Sequence, residues 1–435
     1  MRLKNLFRKR EAHSRADLLI RSSISMMFQM SGRIAGLLLV FVIAKFMSVA
    51  DYGGFVYARN AILLIGPIAV LGFNLSVTRI VPTYVARGEF GLARGFMNYA
   101  LAVTALSATI AVALIFAALM LLPELVEPSL RHALIIGLVG VVPYAALMVT
   151  TETARALGFP SIADGPPNLG QSVAVFVLVM GIYLALGTVT ADGAIIALVI
   201  SCFAMVAAQA IMIRRATAAT LGAATPAYEG RNWLVTSAPL SLSTAAFALS
   251  DRGVFFLLGS YAAAAEVGIF GFLLLISQTV AIIPLSISGM AAARQSAAIA
   301  VGEHARARTI LRDARLAGCA LTVLGSLGAA FASQELLPLL LPHLAVPLDT
   351  LAIVLASVTI TAWTRPAGYF VLSYNRSVTV IFNQTAAAAT AVGVTFLLVP
   401  SMGLNGAAIA MLAGCISRLL VLEYVINWKI FRHLS

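Results

Sequence analysis

Apolar stretches of about 20 residues recur along this sequence from one end to the other, each long enough to cross a hydrocarbon core of roughly 30 Å as a helix. Inside lipid only a helix or a closed barrel satisfies every backbone polar group, and runs of this length select the helix. About twelve spans are expected, the first at 22–46 and the last at 404–426. The chain is 61% hydrophobic and only 11% charged. A soluble protein carries roughly 25% charged residues, so this one cannot clothe a water-facing surface. The first span follows a basic leader, yet it is too long for a secretory signal and no A-x-A-like cleavage site follows, so it is expected to be retained.

The net charge of +12 is a topology signal rather than a nucleic-acid footprint. With the N-terminus inside, most of the 29 Lys and Arg fall on the cytoplasmic side or its edge. Lys45, Arg59 and Arg131 fall on the outer side, which is the positive-inside pattern. Both termini are then cytoplasmic, and the basic loops meet anionic lipid headgroups. Cys202, Cys319 and Cys415 lie inside spans with no paired spacing, and the five histidines are scattered among loops and termini. Neither a disulfide framework nor a metal site is expected, and no cofactor.

The chain repeats itself. Ala50-Asp51-Tyr52-Gly53-Gly54-Phe55 matches Ala265-Glu266-Val267-Gly268-Ile269-Phe270. In the same register Pro67 pairs with Pro284, Arg79 with Arg294, Asn168 with Asn383, Asp192-Gly193-Ala194 with Asn405-Gly406-Ala407, and Cys202 with Cys415. The organisation expected is a cytoplasmic leader (1–21), a six-helix bundle (22–213), a cytoplasmic linker (214–232), a second six-helix bundle (233–426) and a cytoplasmic tail (427–435). Each half holds an even number of spans, so both start on the same side of the membrane. A pseudo-two-fold axis along the membrane normal must relate them, as in several secondary carriers. The fold class is therefore all-α and polytopic, with geometry suited to alternating access.

The lysines, Lys4, Lys9, Lys45 and Lys429, all lack the neighbours of a phosphate-binding loop. The longest hydrophilic segments, 214–232 and 294–315, fall well below the roughly 50 residues of a folded domain. No D-x-D pair or other catalytic constellation is evident, and an enzyme is not expected.

Ionisable side chains deep in a span cost at least about 2.5–3.5 kcal/mol and ordinarily mark a cavity or a pathway. Arg33 lies deep in the first span; it either lines a hollow or pairs with a buried carboxylate such as Asp251. Asp251 and Arg252 are neighbours on the seventh span and point in different directions, so one can pair while the other faces a cleft, unless Arg252 snorkels outward. Glu152 and Arg155 are spaced for a local ion pair. Arg365, before Pro366, lines an inner vestibule or snorkels; Arg418 is structural, and Arg59 borders the outer rim. Buried cations outnumber buried anions, which favours an anionic cargo, and the planar fork of arginine suits phosphate.

These residues resemble a known family, the Wzx-type oligosaccharide flippases, within the wider group that includes multidrug and toxin extrusion carriers and lipid II flippases. The resemblance rests on Ser48-Val49-Ala50-Asp51-Tyr52-Gly53-Gly54-Phe55, on Ala69 and the run to Arg79 with Pro82-Thr83-Tyr84, and on Ser250-Asp251-Arg252 leading to Glu266-Val267-Gly268-Ile269-Phe270. It implies a carrier of the bacterial inner membrane that moves a polyprenyl-diphosphate-linked oligosaccharide outward for O-antigen, capsule or exopolysaccharide. It implies cargo binding in a cationic lumen by Arg33, Arg252, Arg365 and Arg59, with Asp251, Glu152 and Arg155 orienting charge or coupling to H+ or Na+. Membrane lipids, a polymerase and glycosyltransferases are the partners implied. The alternatives are a drug or metabolite antiporter of the same fold and a non-transporting scaffold.

Overall fold

A computed structural model describes residues 15–218, 220–335, 337–340, 345–374 and 376–430; the basic leader before Arg15 and the last residues of the tail lie outside the described residues. So do a few side chains within those ranges, that of Asp251 among them. Every regular element among the described residues is helical. First come α1 (Arg15–Phe46), α2 (Val49–Ala69), α3 (Phe73–Arg87), α4 (Phe90–Leu121), α5 (Pro128–Val139) and α6 (Val141–Ala156). The short α7 (Pro160–Asp164) runs through a π-helical turn, Gly165–Gly170, into α8 (Gln171–Leu186), and α9 (Ala191–Thr217) follows. Beyond a linker are α10 (Gly230–Leu258), α11 (Ala264–Val280), α12 (Ile282–Ala300), α13 (His304–Glu335), the short α14 (Leu337–Leu340), α15 (Leu348–Ser373) and α16 (Ser377–Tyr424).

Among the described residues, eight helices are long and apolar enough to cross a membrane, and up to eleven spans result if each bent pair counts as one. The 48 residues of α16 extend about 72 Å at 1.5 Å per residue, far more than one hydrocarbon core. Its backbone leaves the helix at Gly403 (φ 50°, ψ −122°), a conformation that glycine adopts without steric cost. Reading α16 as two spans brings the number to the twelve expected from the sequence.

The bends are where helix and sequence disagree. The second span of each sequence half is bent, α2 to α3 by 47° and α11 to α12 by 40°. Each bend lies beside one of the matched prolines. Pro67 precedes a break at which Leu71 and Gly72 take positive φ (51° and 77°), and Pro284 leaves the Val280 carbonyl without its helical donor. The first break begins three residues after Pro67 and the second falls three residues before Pro284, so the matched prolines lie beside both bends but not at the same point of them. Pro366, by contrast, leaves α15 a single helix.

The chain divides into two compact units, one of Met1–Ser48 with Ala58–Ala248 and the other of Val49–Tyr57 with Leu249–Ser435. The boundaries therefore cut α2 and α10. In the first unit the linker after α9 is strapped down: Arg94 Nη1 donates to the carbonyls of Gly222 (2.8 Å) and Ala224 (2.9 Å), and Ala227 N–H to that of Gly91 (3.0 Å). Trp233 is buried beside Phe96 and Tyr99 and donates to Tyr84 Oη at 3.0 Å.

In the second unit the two motif copies pack on each other. A Cβ on Gly53 would lie 1.8 Å from the Ala264 carbonyl oxygen, and one on Gly268 would lie 2.6 Å from that of Val49. The repeated glycine is thus a close helix crossing, the use that membrane interfaces make of small residues.

Candidate functional site

Arg33 is placed by the way α1 packs. Ser25, Gln29, Gly32 and Gly36 recur every three or four residues and so form one face. That face meets the α7–α8 region: Ser25 and Gln29 bond Asp164, and a Cβ on Gly32 would lie 2.4 Å from Cβ of Asn168. Met27, Ile34, Leu38 and Phe41 form a second, exposed stripe, whose apolar chemistry suits acyl chains. Arg33 is one residue from Gly32 and one from Ile34, about 100° from each, at the seam between the packed and the exposed stripes. Its side chain is exposed and makes no hydrogen bond or ion pair among the described residues. Its depth along the span predicts an interior position, and the structure places it at an open edge of the bundle.

Glu152 and Arg155 come together as their spacing predicts, in an ion pair. The structure adds a third member. Arg155 Nη2 lies 2.8 Å from Asp164 Oδ1, and Asp164 is buried. Ser25 Oγ donates to Asp164 Oδ2 (2.5 Å) and Gln29 Nε2 to Oδ1 (3.4 Å), while Asn168 Nδ2 reaches the Asp164 main-chain carbonyl (2.8 Å). A buried carboxylate is tolerable only with such a set of donors. Beside it the fully buried Gln209 accepts from Thr150 Oγ1 (2.6 Å) and donates to the Ile162 carbonyl (2.9 Å), so this polar layer is satisfied with neutral groups. Asp164→Leu strands these donors and is expected to cost roughly 1–3 kcal/mol, read as a lowered Tm of the detergent-solubilised protein; Asp164→Asn, which keeps an acceptor, should lose less.

In the second unit Arg252 on α10 and Arg365 on α15 are both half-buried and both have polar partners. Arg418 Nη2 donates to Ser250 Oγ at 2.7 Å, which fits a structural role. The Asp251 side chain lies outside the described residues. Arg59, in the first unit, is half-buried and is not without a partner. Among the described residues no cluster of metal-ligating side chains occurs.

Sequence reasoning missed the most fully enclosed charges. Arg315 is 8% exposed, its Nη2 lies 2.7 Å from Glu423 Oε1, its guanidinium sits 4.9 Å over the Trp363 ring, and Trp363 Nε1 donates to the same Oε1 at 2.8 Å. In the sequence Arg315 reads as the edge of a hydrophilic segment and Asp164 as part of a Pro- and Gly-rich loop. Glu423, a lone carboxylate in an apolar run, is the signal that could have found the first of them.

No family model matches this chain, and no curated protein matches it in sequence. Solved structures do. A multidrug resistance MATE family transporter of the MOP superfamily, in an inward-facing conformation, superposes with a TM-score of 0.75 at 15% identity, over 95% of this chain and 97% of that one. The fold is that of the MOP transporters. The lipid II flippase MurJ, in an inward closed conformation, gives a TM-score of 0.72 at 13% identity over 92% of this chain and 87% of that one. A MOP superfamily transporter from Pyrococcus furiosus, described as having a binding pocket of reverse polarity that suggests a different function, gives 0.63 at 16% identity over 95% and 94%. At these identities the likeness is one of fold, and the charged side chains must be argued from this chain.

Proposed function

We propose that this protein is a lipid-linked oligosaccharide flippase of the bacterial inner membrane, moving a polyprenyl-diphosphate-linked glycan outward by alternating access for surface polysaccharide synthesis. The observation that carries the reading is Arg33: an exposed arginine deep in a span, without a protein partner among the described residues and off the apolar stripe. A cation left unpaired in the membrane is costly, so its position is explained by water and an anion. Diphosphate, which takes a bidentate fork, fits. Arg252, Arg365 and Arg59 are proposed to add positive potential along the route, with Glu152, Arg155 and Asp251 orienting it. Support from fold comes from a lipid flippase among the similar structures and from a carrier of reversed pocket polarity.

The second reading is a drug or metabolite antiporter, favoured by the similarity to multidrug transporters. Reconstituted vesicles separate the two. A fluorescent short-chain polyprenyl-diphosphate disaccharide in the inner leaflet should become accessible to external quencher only when the protein is present. A glycan lipid that stays put, with cationic dyes moved instead, would establish the antiporter. The bacterial membrane, the cytoplasmic termini and any association with a polymerase or glycosyltransferases belong to this proposal.

A further inference from the structure

Two arginines of the spans remain that no packing contact uses. Arg79 on α3 and Arg294 on α12 are matched by the sequence repeat. Each stands more than two turns before the left-handed glycine at the end of its helix, Arg79 nine residues before Gly88 (φ 78°) and Arg294 eight before Gly302 (φ 79°). Both side chains are exposed, and neither makes a hydrogen bond or ion pair among the described residues. Arg33, Arg155 and Asp164 are not repeated in this way: every residue 213 to 217 positions beyond them is uncharged. A cation present in both halves, and touching no protein partner in either, has no packing reason to be there.

The surroundings of both residues suit water better than lipid. Charged side chains within spans face a bundle interior or a water-filled cavity, and a face turned to lipid is apolar, like the exposed Leu106, Ile110 and Leu114 on α4 or Val173 and Val177 on α8. In α3 the arrangement is reversed. Its valines, Val77, Val81 and Val85, are buried, and past Leu75 its exposed positions are Thr78, Arg79, Thr83, Ala86 and Arg87. On α12 no branched aliphatic side chain is exposed between Gly289 and Ala300, whereas Arg294, Ser296 and Ala297 are exposed. Arg79 lies about 12 Å inside the end of α3 and Arg294 about 9 Å inside that of α12, at 1.5 Å per residue. Neither is a terminal residue of its helix.

We propose that Arg79 and Arg294 are phosphate-contacting residues, one in each unit, each on a water-lined face and each receiving a phosphate-bearing anion in its guanidinium fork. Arg155 and Arg315 are matched by Glu152, Asp164 and Glu423. Arg79 and Arg294 have no such carboxylate among the described residues, so their donors are available to an incoming anion. Phosphate takes the planar fork in a bidentate, charge-assisted contact. The same chemistry is offered by the diphosphate of a lipid-linked cargo and by the headgroup of an ordinary anionic phospholipid. The proposal deepens the flippase reading and rests on it for the cargo, while the phosphate contact itself is testable without one.

Thiol probes beside each arginine provide the test. In the full-length protein Thr83→Cys places a thiol one turn from Arg79, and Ala297→Cys places one a turn from Arg294; protein without an added thiol is the blank for the natural cysteines. In phosphatidylcholine nanodiscs both thiols should react with charged methanethiosulfonates, the sulfonate reagent gaining on the trimethylammonium one. Arg79→Gln and Arg294→Gln should each lower that preference at least about threefold, the effect of one charge about 7 Å away in water, and each at its own thiol. Arg79→Lys should keep the preference, since it keeps the charge. Inorganic pyrophosphate slows both thiols if a free diphosphate fills the sites, and added phosphatidylglycerol slows them if a lipid headgroup does; either result supports the phosphate contact and identifies its source. Thiols that charged reagents do not reach, a preference untouched by Arg→Gln, or no response to either phosphate overturns the proposal. The probes use no glycan lipid, so their failure is read apart from the vesicle assay of the flippase.

Discussion

Replacing Arg33 with alanine is expected to abolish export of surface polymer while leaving the amount of protein in the membrane unchanged. The two halves of that expectation have separate causes. Arg33 makes no hydrogen bond or ion pair among the described residues and is exposed, so its loss strands nothing and should move stability by no more than about 0.5 kcal/mol, as for an ordinary surface change. A charge-assisted contact to a phosphate is worth about 1.5–3 kcal/mol, and a bidentate one more, so losing it should weaken cargo binding at least about tenfold to a hundredfold. Arg33→Lys keeps a point charge but not the fork and should retain part of the activity. Cell-surface polysaccharide measured against immunoblotted membrane protein decides the matter. Normal polymer from the alanine variant removes Arg33 from the cargo path, and a parallel fall of polymer and protein makes it a folding residue.

What the sequence disclosed and what it hid divide along physical lines. Span number was legible because lipid demands about 20 apolar residues per crossing, and that demand is written in composition alone. The matched glycines were legible because a backbone need fixes them: Gly53 and Gly268 each lie where an added Cβ would meet the facing helix's backbone. Burial of charge was not. Arg33 reads as interior by its depth along α1, yet its environment is set by azimuth, and azimuth depends on which stripe meets the α7–α8 region. Asp164 looks like a loop residue because Pro160, Pro166 and Pro167 surround it; it instead ends the short α7, directly before a π-helical turn, the kind of helix defect often found at functional positions. Arg315 sits where an amphipathic helix enters the membrane, and only the packing of α13 against α15 and α16 shows that it is enclosed.

The Gly53 crossing leads to the second large effect, one of stability rather than transport. In Gly53→Val the first added carbon alone would lie 1.8 Å from the Ala264 carbonyl oxygen and 2.7 Å from its carbon, with the Gly268 nitrogen at 3.0 Å. All three obstacles are backbone atoms of α11, so no rotamer change relieves them, and α2 and α11 must part along their length. Overpacking typically costs about 1–3 kcal/mol when side chains can adjust. Here the neighbours that move would be buried as well, since Tyr52, Phe55, Phe270 and Phe272 are each almost wholly enclosed. Gly53→Val should therefore fail to accumulate as monodisperse protein, and Gly53→Ala should show a marked fall in Tm. Gly393→Ala, where an added carbon meets nothing within 4 Å, is the matched control and should be neutral or slightly stabilising, as expected of a helical glycine. Size-exclusion profiles of the three variants test the crossing directly. A well-folded Gly53→Val would mean that α2 and α11 do not approach as described, and that the repeated motif is kept for a reason other than close packing.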